Sequence, residues 1–139
     1  MIALDTNVLS EAMRPAPDSR VIAWIGGQDA SKLFLSSVTV ARLRHGALLL
    51  PEERRRRDLE TAIETVVGVV FADRVLPFDA RAAVAYAEIV VARERAGRPM
   101  SQGDAQIAAI ALVRGASVAT RNVRDFDGTG VGLIDPWTA

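Results

Sequence analysis

No cysteine occurs in the 139 residues, so disulfides and thiolate metal sites are excluded, and any metal has to use oxygen ligands or the single histidine, His45. A reducing cytoplasm fits that absence. No apolar run approaches the roughly 20 residues needed to cross a bilayer, so no membrane association is expected. The opening segment lacks a basic n-region and carries Asp5 within its first residues, so it is not expected to be a signal peptide. Lysine is almost missing: Lys32 is the only one among 17 basic residues, the rest being arginine. These balance 17 acidic residues to a net charge of zero, which excludes a globally basic glove for nucleic acid. Arg54-Arg55-Arg56-Arg57 is a local exception. Beside Glu52, Glu53, Asp58 and Glu60 it reads first as a solvated helix face, with phosphate contact as the alternative.

What is present is the profile of one globular domain, residues 1–139, with 50% apolar and 24% charged residues. Folding a chain of this length buries roughly two-thirds of its surface, enough for a core without crosslinks. Met1–Asp5 reads as a buried strand ending in a carboxylate. Helices are expected over 6–13, stopped by Arg14-Pro15, and from Asp18 or Ser19 to Ile25, ended by Gly26-Gly27. A strand at 33–37 precedes a helix opened by Thr39 and running to about Leu50. A long helix is expected over 52–70, with Leu59, Ile63, Val66 and Val67 on one face. A strand at 75–77 leads to a helix capped by Asp79, with Ala83, Tyr86, Ala87 and Val90 inward. Ser101 caps the next helix, with Ile107, Ile110 and Ala111 inward and Gly115 as its stop. Strands at 117–120 and 132–134 flank a turn or short helix at 122–126. Strands alternating with helices predict an α/β fold, a central parallel sheet of four to five strands with helices on both faces. In such sheets ligands bind beyond the carboxyl ends of the strands, where strand order reverses.

Three acids point to that edge. Asp5 closes the first apolar strand, where a carboxylate needs a cation, hydrogen-bond donors or a raised pKa. Asp104 opens an apolar helix, and taken alone reads first as a favourable charge at its N-terminus. Asp125 sits in a polar loop with Asp127. Converging carboxylates repel one another, and a hard divalent ion such as Mg²⁺ or Mn²⁺ relieves that repulsion through oxygen ligands. Such an ion can acidify an attacking water, which suits phosphodiester hydrolysis. No nucleophile elbow, phosphate-binding glycine loop or histidine pair competes with this reading.

The segments Ile2-Ala3-Leu4-Asp5-Thr6-Asn7, Ser101-Gln102-Gly103-Asp104-Ala105-Gln106-Ile107-Ala108-Ala109 and Ala119-Thr120-Arg121-Asn122-Val123-Arg124-Asp125-Phe126 resemble, in order and spacing, those of PIN-domain proteins. The likeness is greatest to the VapC and FitB-like toxins of bacterial type II toxin–antitoxin pairs. It extends from Met1 to about Pro136, and includes Leu76-Pro77-Phe78-Asp79 and Ala96-Gly97-Arg98-Pro99. The resemblance implies an Mg²⁺- or Mn²⁺-dependent endoribonuclease, a cytoplasmic homodimer held by a VapB- or FitA-like antitoxin in a higher assembly, and RNA as substrate. It places Asp5 and Asp104 as metal ligands. Where the family commonly has an acid, this chain has Asn122, which offers a neutral oxygen or a cap; Asp125 lies nearby as a site member.

One position departs from the family. In Ser36-Ser37-Val38-Thr39-Val40-Ala41-Arg42-Leu43-Arg44-His45-Gly46, the family's acidic residue is replaced by Arg42. With Thr39 opening the helix, position 42 is N3, where glutamate completes a capping box and arginine opposes the helix dipole. The exchange alters local charge by two units, and unit charges at 4 Å interact by about 4 kcal/mol at an effective dielectric of 20. A guanidinium beside Asp5 and Asp104 would pair with them and take over the metal's electrostatic role. Three readings stand: a deliberately disarmed toxin, a naturally inactive relative, or an Arg42 that swings out and leaves a working site completed by Glu11. The rival function is a non-catalytic PIN-like module that keeps only its partner surface.

Thr6 and Thr120 are either supporting hydroxyls at the site or caps. Arg121 and Arg124 read as solvated loop residues, with contact to RNA phosphates as the alternative. His45 is expected at the surface or in a structural role, and Trp24 and Trp137 in packing. Val8, Leu9, Ile22 and Leu43 are candidate contacts in a groove for an antitoxin segment, against ordinary core packing.

Overall fold

Every strand pairs in parallel with its neighbour, and helices carry the chain back across the sheet between them. The computed structural model describes residues 1–139. The strands are β1 (Ile2–Leu4), β2 (Leu33–Ser36), β3 (Val75–Leu76), β4 (Ser117–Ala119) and β5 (Leu133–Ile134), in the order β3-β2-β1-β4-β5. From β1 the chain winds outward through β2 to β3, then returns to β4 on the other side of β1. The carboxyl ends of β1 and β4 therefore flank the point where strand order reverses. Their register, Ile2 opposite Ser117 and Leu4 opposite Ala119, brings both strands to that edge together. The sheet's edges are formed by two-residue strands, β3 and β5.

The helices are α1 (Thr6–Ala12), α2 (Ser19–Gly26), α3 (Ser37–Leu48), α4 (Arg54–Thr65), α5 (Ala80–Arg95) and α6 (Gln102–Arg114). Alternate residues along a strand point to opposite faces, and the cores follow that period. Leu33 and Leu35 of β2 join Leu4, Val8, Leu9, Val21, Leu43 and Ile63, beneath α1 to α4. Phe34, between them, packs instead with Ile89, Ile107, Ile110 and Val118, beneath α5 and α6. Helix α6 is buried over Ala105 and Ile107–Ala111, and its small alanines let α5 lie close. Gly115 ends it with φ of 67°, a left-handed conformation that costs glycine little.

Three expectations are corrected. Helix α3 opens at Ser37, not Thr39: β2 runs straight into the helix, and Ser36 is the cap, its hydroxyl accepting from the Thr39 amide at 3.1 Å. Arg42 thus lies beyond the first turn, where the helix dipole does not oppose its charge. The helix expected over 52–70 starts at Arg54 and widens at Val66–Val70 into a π-turn, with Phe71 N bonding Val66 O at 2.9 Å. Four valines and Gly68 make this stretch a weak α-helix former. On α5, Tyr86 and Val90 pack inward as expected, but Ala83 and Ala87 are exposed and the buried stripe is Ala82, Ala85, Ile89 and Arg93. Val84 and Val91 lie on the outer side, so hydrophobicity alone does not fix the phase of this helix.

Candidate active site at the carboxyl edge of the sheet

Asp5 is placed by β1 and used by α1. Its amide donates to Ala119 O at 2.9 Å, extending the β1–β4 ladder by one residue. Its carboxylate then caps α1, accepting from the Thr6 amide at 2.8 Å. Only 3% of Asp5 is exposed, and the Thr120 hydroxyl donates to its Oδ2 at 2.9 Å. Asn7 knits this corner together. Its amide nitrogen lies 3.4 Å from Asp5 Oδ2 and 3.3 Å from Thr120 Oγ1, while its carbonyl oxygen accepts from the Arg121 amide at 3.2 Å. The Asn122 amide donates to Thr120 Oγ1 at 3.1 Å. Thr120 thereby links the first acid to the turn after β4. Thr6 faces Thr39, with hydroxyl oxygens 3.5 Å apart, and Thr39 in turn lies 3.4 Å from the Ser36 hydroxyl.

Asp104 reaches the same edge from the first turn of α6, whose cap, Ser101, accepts from the Asp104 amide at 3.2 Å. Between the two acids lies Arg42. One of its terminal nitrogens stands 3.6 Å from Asp5 Oδ1 and the other 3.1 Å from Asp104 Oδ1. The fork spans both carboxylates, with about a third of the arginine side chain exposed. It fits because residue 103 is glycine: a Cβ there would stand 2.9 Å from the guanidinium carbon. Burial pushes the Asp5 carboxyl above its usual range. The Thr120 and Thr6 donors oppose that rise, Asp104's charge adds to it, and Arg42's charge counters it.

The PIN-domain sequence profile matches residues 2–131. The chain belongs to the PIN-domain family. Similar PIN-domain relatives include the VapC ribonuclease Y4jK of Sinorhizobium fredii, 41% identical over 99% of this chain and 98% of its own. Toxin FitB of Neisseria gonorrhoeae is 39% identical over 99% of both chains. The crystal structure of FitAcB from Neisseria gonorrhoeae superposes with a TM-score of 0.93 at 38% identity, covering all of both chains.

As PIN-domain residues, Asp5 and Asp104 have the chemistry a hard divalent ion requires, but the point on which they converge is held by a guanidinium. No third histidine, aspartate or glutamate joins them in a metal-sized group. Asp125 is exposed on the short 3₁₀ turn Val123–Phe126 and forms no metal-sized group with Asp5 and Asp104, so the three expected carboxylates do not converge. Glu11 is committed elsewhere: its carboxylate accepts from the Asp18 amide at 3.1 Å and from Arg14 at 3.3 Å. As it stands, the site does not fit a divalent cation.

Arg121 stacks over Trp137 at 5.0 Å from the ring centroid, and Trp137 is buried, consistent with a packing role. Arg124 is exposed, and its carbonyl accepts from Arg98 at 3.3 Å. His45 is exposed on α3. Val8, Leu9 and Leu43 are core residues, whereas Ile22 is exposed. Of these, Leu43 lines a groove of about 640 Å³ between α1, α3 and α4, which Arg42 and Thr6 also border. Sequence reasoning did not single out Asn7 or Ser36, though both adjoin a named motif residue. No helix is long and apolar enough to cross a membrane.

Proposed function

We propose that this PIN-domain protein is the toxin of a type II toxin–antitoxin pair, with an endoribonuclease scaffold whose cation position is filled by its own Arg42. The observation that carries this reading is the fork from Arg42 to Asp5 and Asp104 at 3.6 and 3.1 Å. The relatives named a VapC ribonuclease and a FitB toxin span nearly the whole chain and support the toxin assignment. The partners that follow are a VapB- or FitA-like antitoxin, a second copy of the chain, and RNA, in the cytoplasm. Asp5 and Asp104 are the paired acids of the nuclease scaffold and Asp125 an outlying one, with Thr6, Thr120 and Asn122 in support and Arg121 and Arg124 as candidates for RNA phosphates.

The chain's own residues act here by charge. Thr120 and Asn7 hold the Asp5 carboxylate, and Ser101 and Gly103 set Asp104 and the space beside it. Arg42 then neutralises the pair. A bound Mg²⁺ or Mn²⁺ would supply an acidified water, chemistry that a guanidinium lacks. The second reading, a binding module without catalysis, draws on the same Arg42 together with the intact groove between α1, α3 and α4.

Comparing the native chain with Arg42→Glu for Mg²⁺- and Mn²⁺-dependent RNA cleavage tests the proposal. Little or no cleavage is expected from the native chain and a gain of about a hundredfold or more from the variant, the scale on which one preorganised electrostatic contact at a reacting centre changes a rate. Equal, robust cleavage by both would remove Arg42 from the argument. Failure of both to cut, with antitoxin binding retained, would favour the binding module.

A further inference from the structure

The inner side of α5 is pinned to the molecule. Ala82, Ala85 and Ile89 enter the core, and Arg93 is buried, with 7% exposed, and pairs with no carboxylate. Its Nε donates to Arg98 O at 2.6 Å, and one terminal nitrogen donates to Asp125 O at 3.2 Å and Asp127 O at 2.5 Å. With its phase fixed in this way, the helix turns Val84 and Val91 outward, 63% and 41% exposed. Around Val91 the outer face is hollow. Ala87, Glu88, Val91, Ala92 and Arg95 line an open depression of about 440 Å³. Glu88, Val91, Ala92 and Arg95 follow the i, i+3, i+4, i+7 spacing of a hole that receives one side chain of a packed helix.

The charges beside the hollow indicate its occupant. Glu88 and Arg95 are exposed and join no ion pair within the chain. They lie two turns apart, about 10 Å along the axis, too far to meet each other. The helical positions three and four residues from them are Val84, Ala85, Val91 and Ala92, all apolar. A second α5 laid antiparallel across this face answers both charges. A two-fold axis between Val91 and Ala92 falls midway between 88 and 95, so Glu88 of each copy stands opposite Arg95 of the other. The same rotation sets Val91 of each copy into the hollow of the other, against Ala92, and the contact is closed and symmetric.

We infer that the outer face of α5 is a self-association surface, on which two copies of this chain pack antiparallel about Val91 and Ala92 with reciprocal Glu88–Arg95 pairs. It rests on the reading above only for the expectation of a second copy, and is independent of the nuclease chemistry. Sedimentation of the full chain over a range of concentrations tests it. The native chain dimerises. Glu88→Arg and Arg95→Glu each weaken the dimer about tenfold, since two attractions become two repulsions. The double variant, Glu88→Arg with Arg95→Glu, recovers to within about threefold of native. Glu88→Arg combined with Arg57→Glu, a distant exposed change that restores the same net charge, does not recover. Val91→Glu weakens the dimer about a hundredfold by setting unpaired carboxylates at its centre. All the α5 positions changed are exposed, so the monomer keeps its fold. A dimer indifferent to these substitutions, or rescued equally by Arg57→Glu, overturns the proposal and leaves the second-copy expectation standing on another face. A chain that stays monomeric at every concentration overturns both.

Discussion

Two arginines of this chain do opposite things with the same group. Arg42, about a third exposed, spends its charge on two carboxylates, Asp5 and Asp104. Arg93, nearly fully buried, meets no carboxylate and spends its geometry on three carbonyls. The first sets the electrostatics of the candidate site and is reached by solvent. The second sets backbone position and is sealed from it. Charge at a partly solvated place is worth little to stability and much to chemistry, whereas a buried fan of donors is the reverse.

Stability measurements sharpen that contrast. Arg93→Met leaves carbonyls without donors, at roughly 1–3 kcal/mol each, offset in part by no longer burying a cation. A net loss of about 2–4 kcal/mol is expected in urea unfolding. Arg42→Met is expected to cost less, about 1–2 kcal/mol by the same measurement, because solvent reaches the guanidinium although Asp5 is buried. A cost from Arg42→Met as large as that from Arg93→Met would erase the distinction.

Asp5→Asn bears on the acid side. Burial raises the folded pKa of Asp5 above its ordinary 3.8, so the folded state holds this proton more tightly than the unfolded state does. The contribution of Asp5 to stability is therefore best at low pH. It falls as pH rises from 3.8 through the raised value, then levels off. Unfolding followed from pH 4 to 8 is expected to show that fall in the native chain and to lack its Asp5 part in Asp5→Asn. A slope that is the same in both chains would mean that Asp5 titrates as though exposed.

The smallest effect is expected from Gly103→Ala. The new Cβ would press on the Arg42 guanidinium, the mobile end of a long side chain, and push it off Asp104. Alanine's better helix propensity offsets part of the lost pairing, so stability should stay within about 1 kcal/mol. The carboxyl carbon resonance of Asp104, compared between the two chains at a single pH, should shift as the guanidinium leaves. No shift would show that Arg42 can pair without the space glycine provides.

Much of this fold was legible because the signals agreed at each level. Ile2-Ala3-Leu4-Asp5 reads as a strand closed by an acid, and the structure uses Asp5 both to extend the ladder and to cap α1. Ser101 and Gly115 bracket α6 as their chemistry dictates. The errors fall where signals tie. Ser36 and Thr39 are both capable caps, and only the lack of a linker after β2 decides between them. The outer valines of α5 hide its phase. Arg93 was invisible for a related reason: an arginine in the last turn of a helix ordinarily reads as a solvated charge at the negative end of the dipole. That it points inward depends on the turn after β4, which lies about thirty residues on. The carboxylate convergence was legible only for Asp5 and Asp104, since the direction of Asp125 depends on that same turn.

The two-residue strands at the sheet's borders carry a consequence for how copies of this molecule meet. A border that short offers little free backbone for another strand to zip onto, so sheet-to-sheet extension into fibres is disfavoured. The surface left for a neighbour is helical, where side-chain shape rather than unsatisfied backbone would select it.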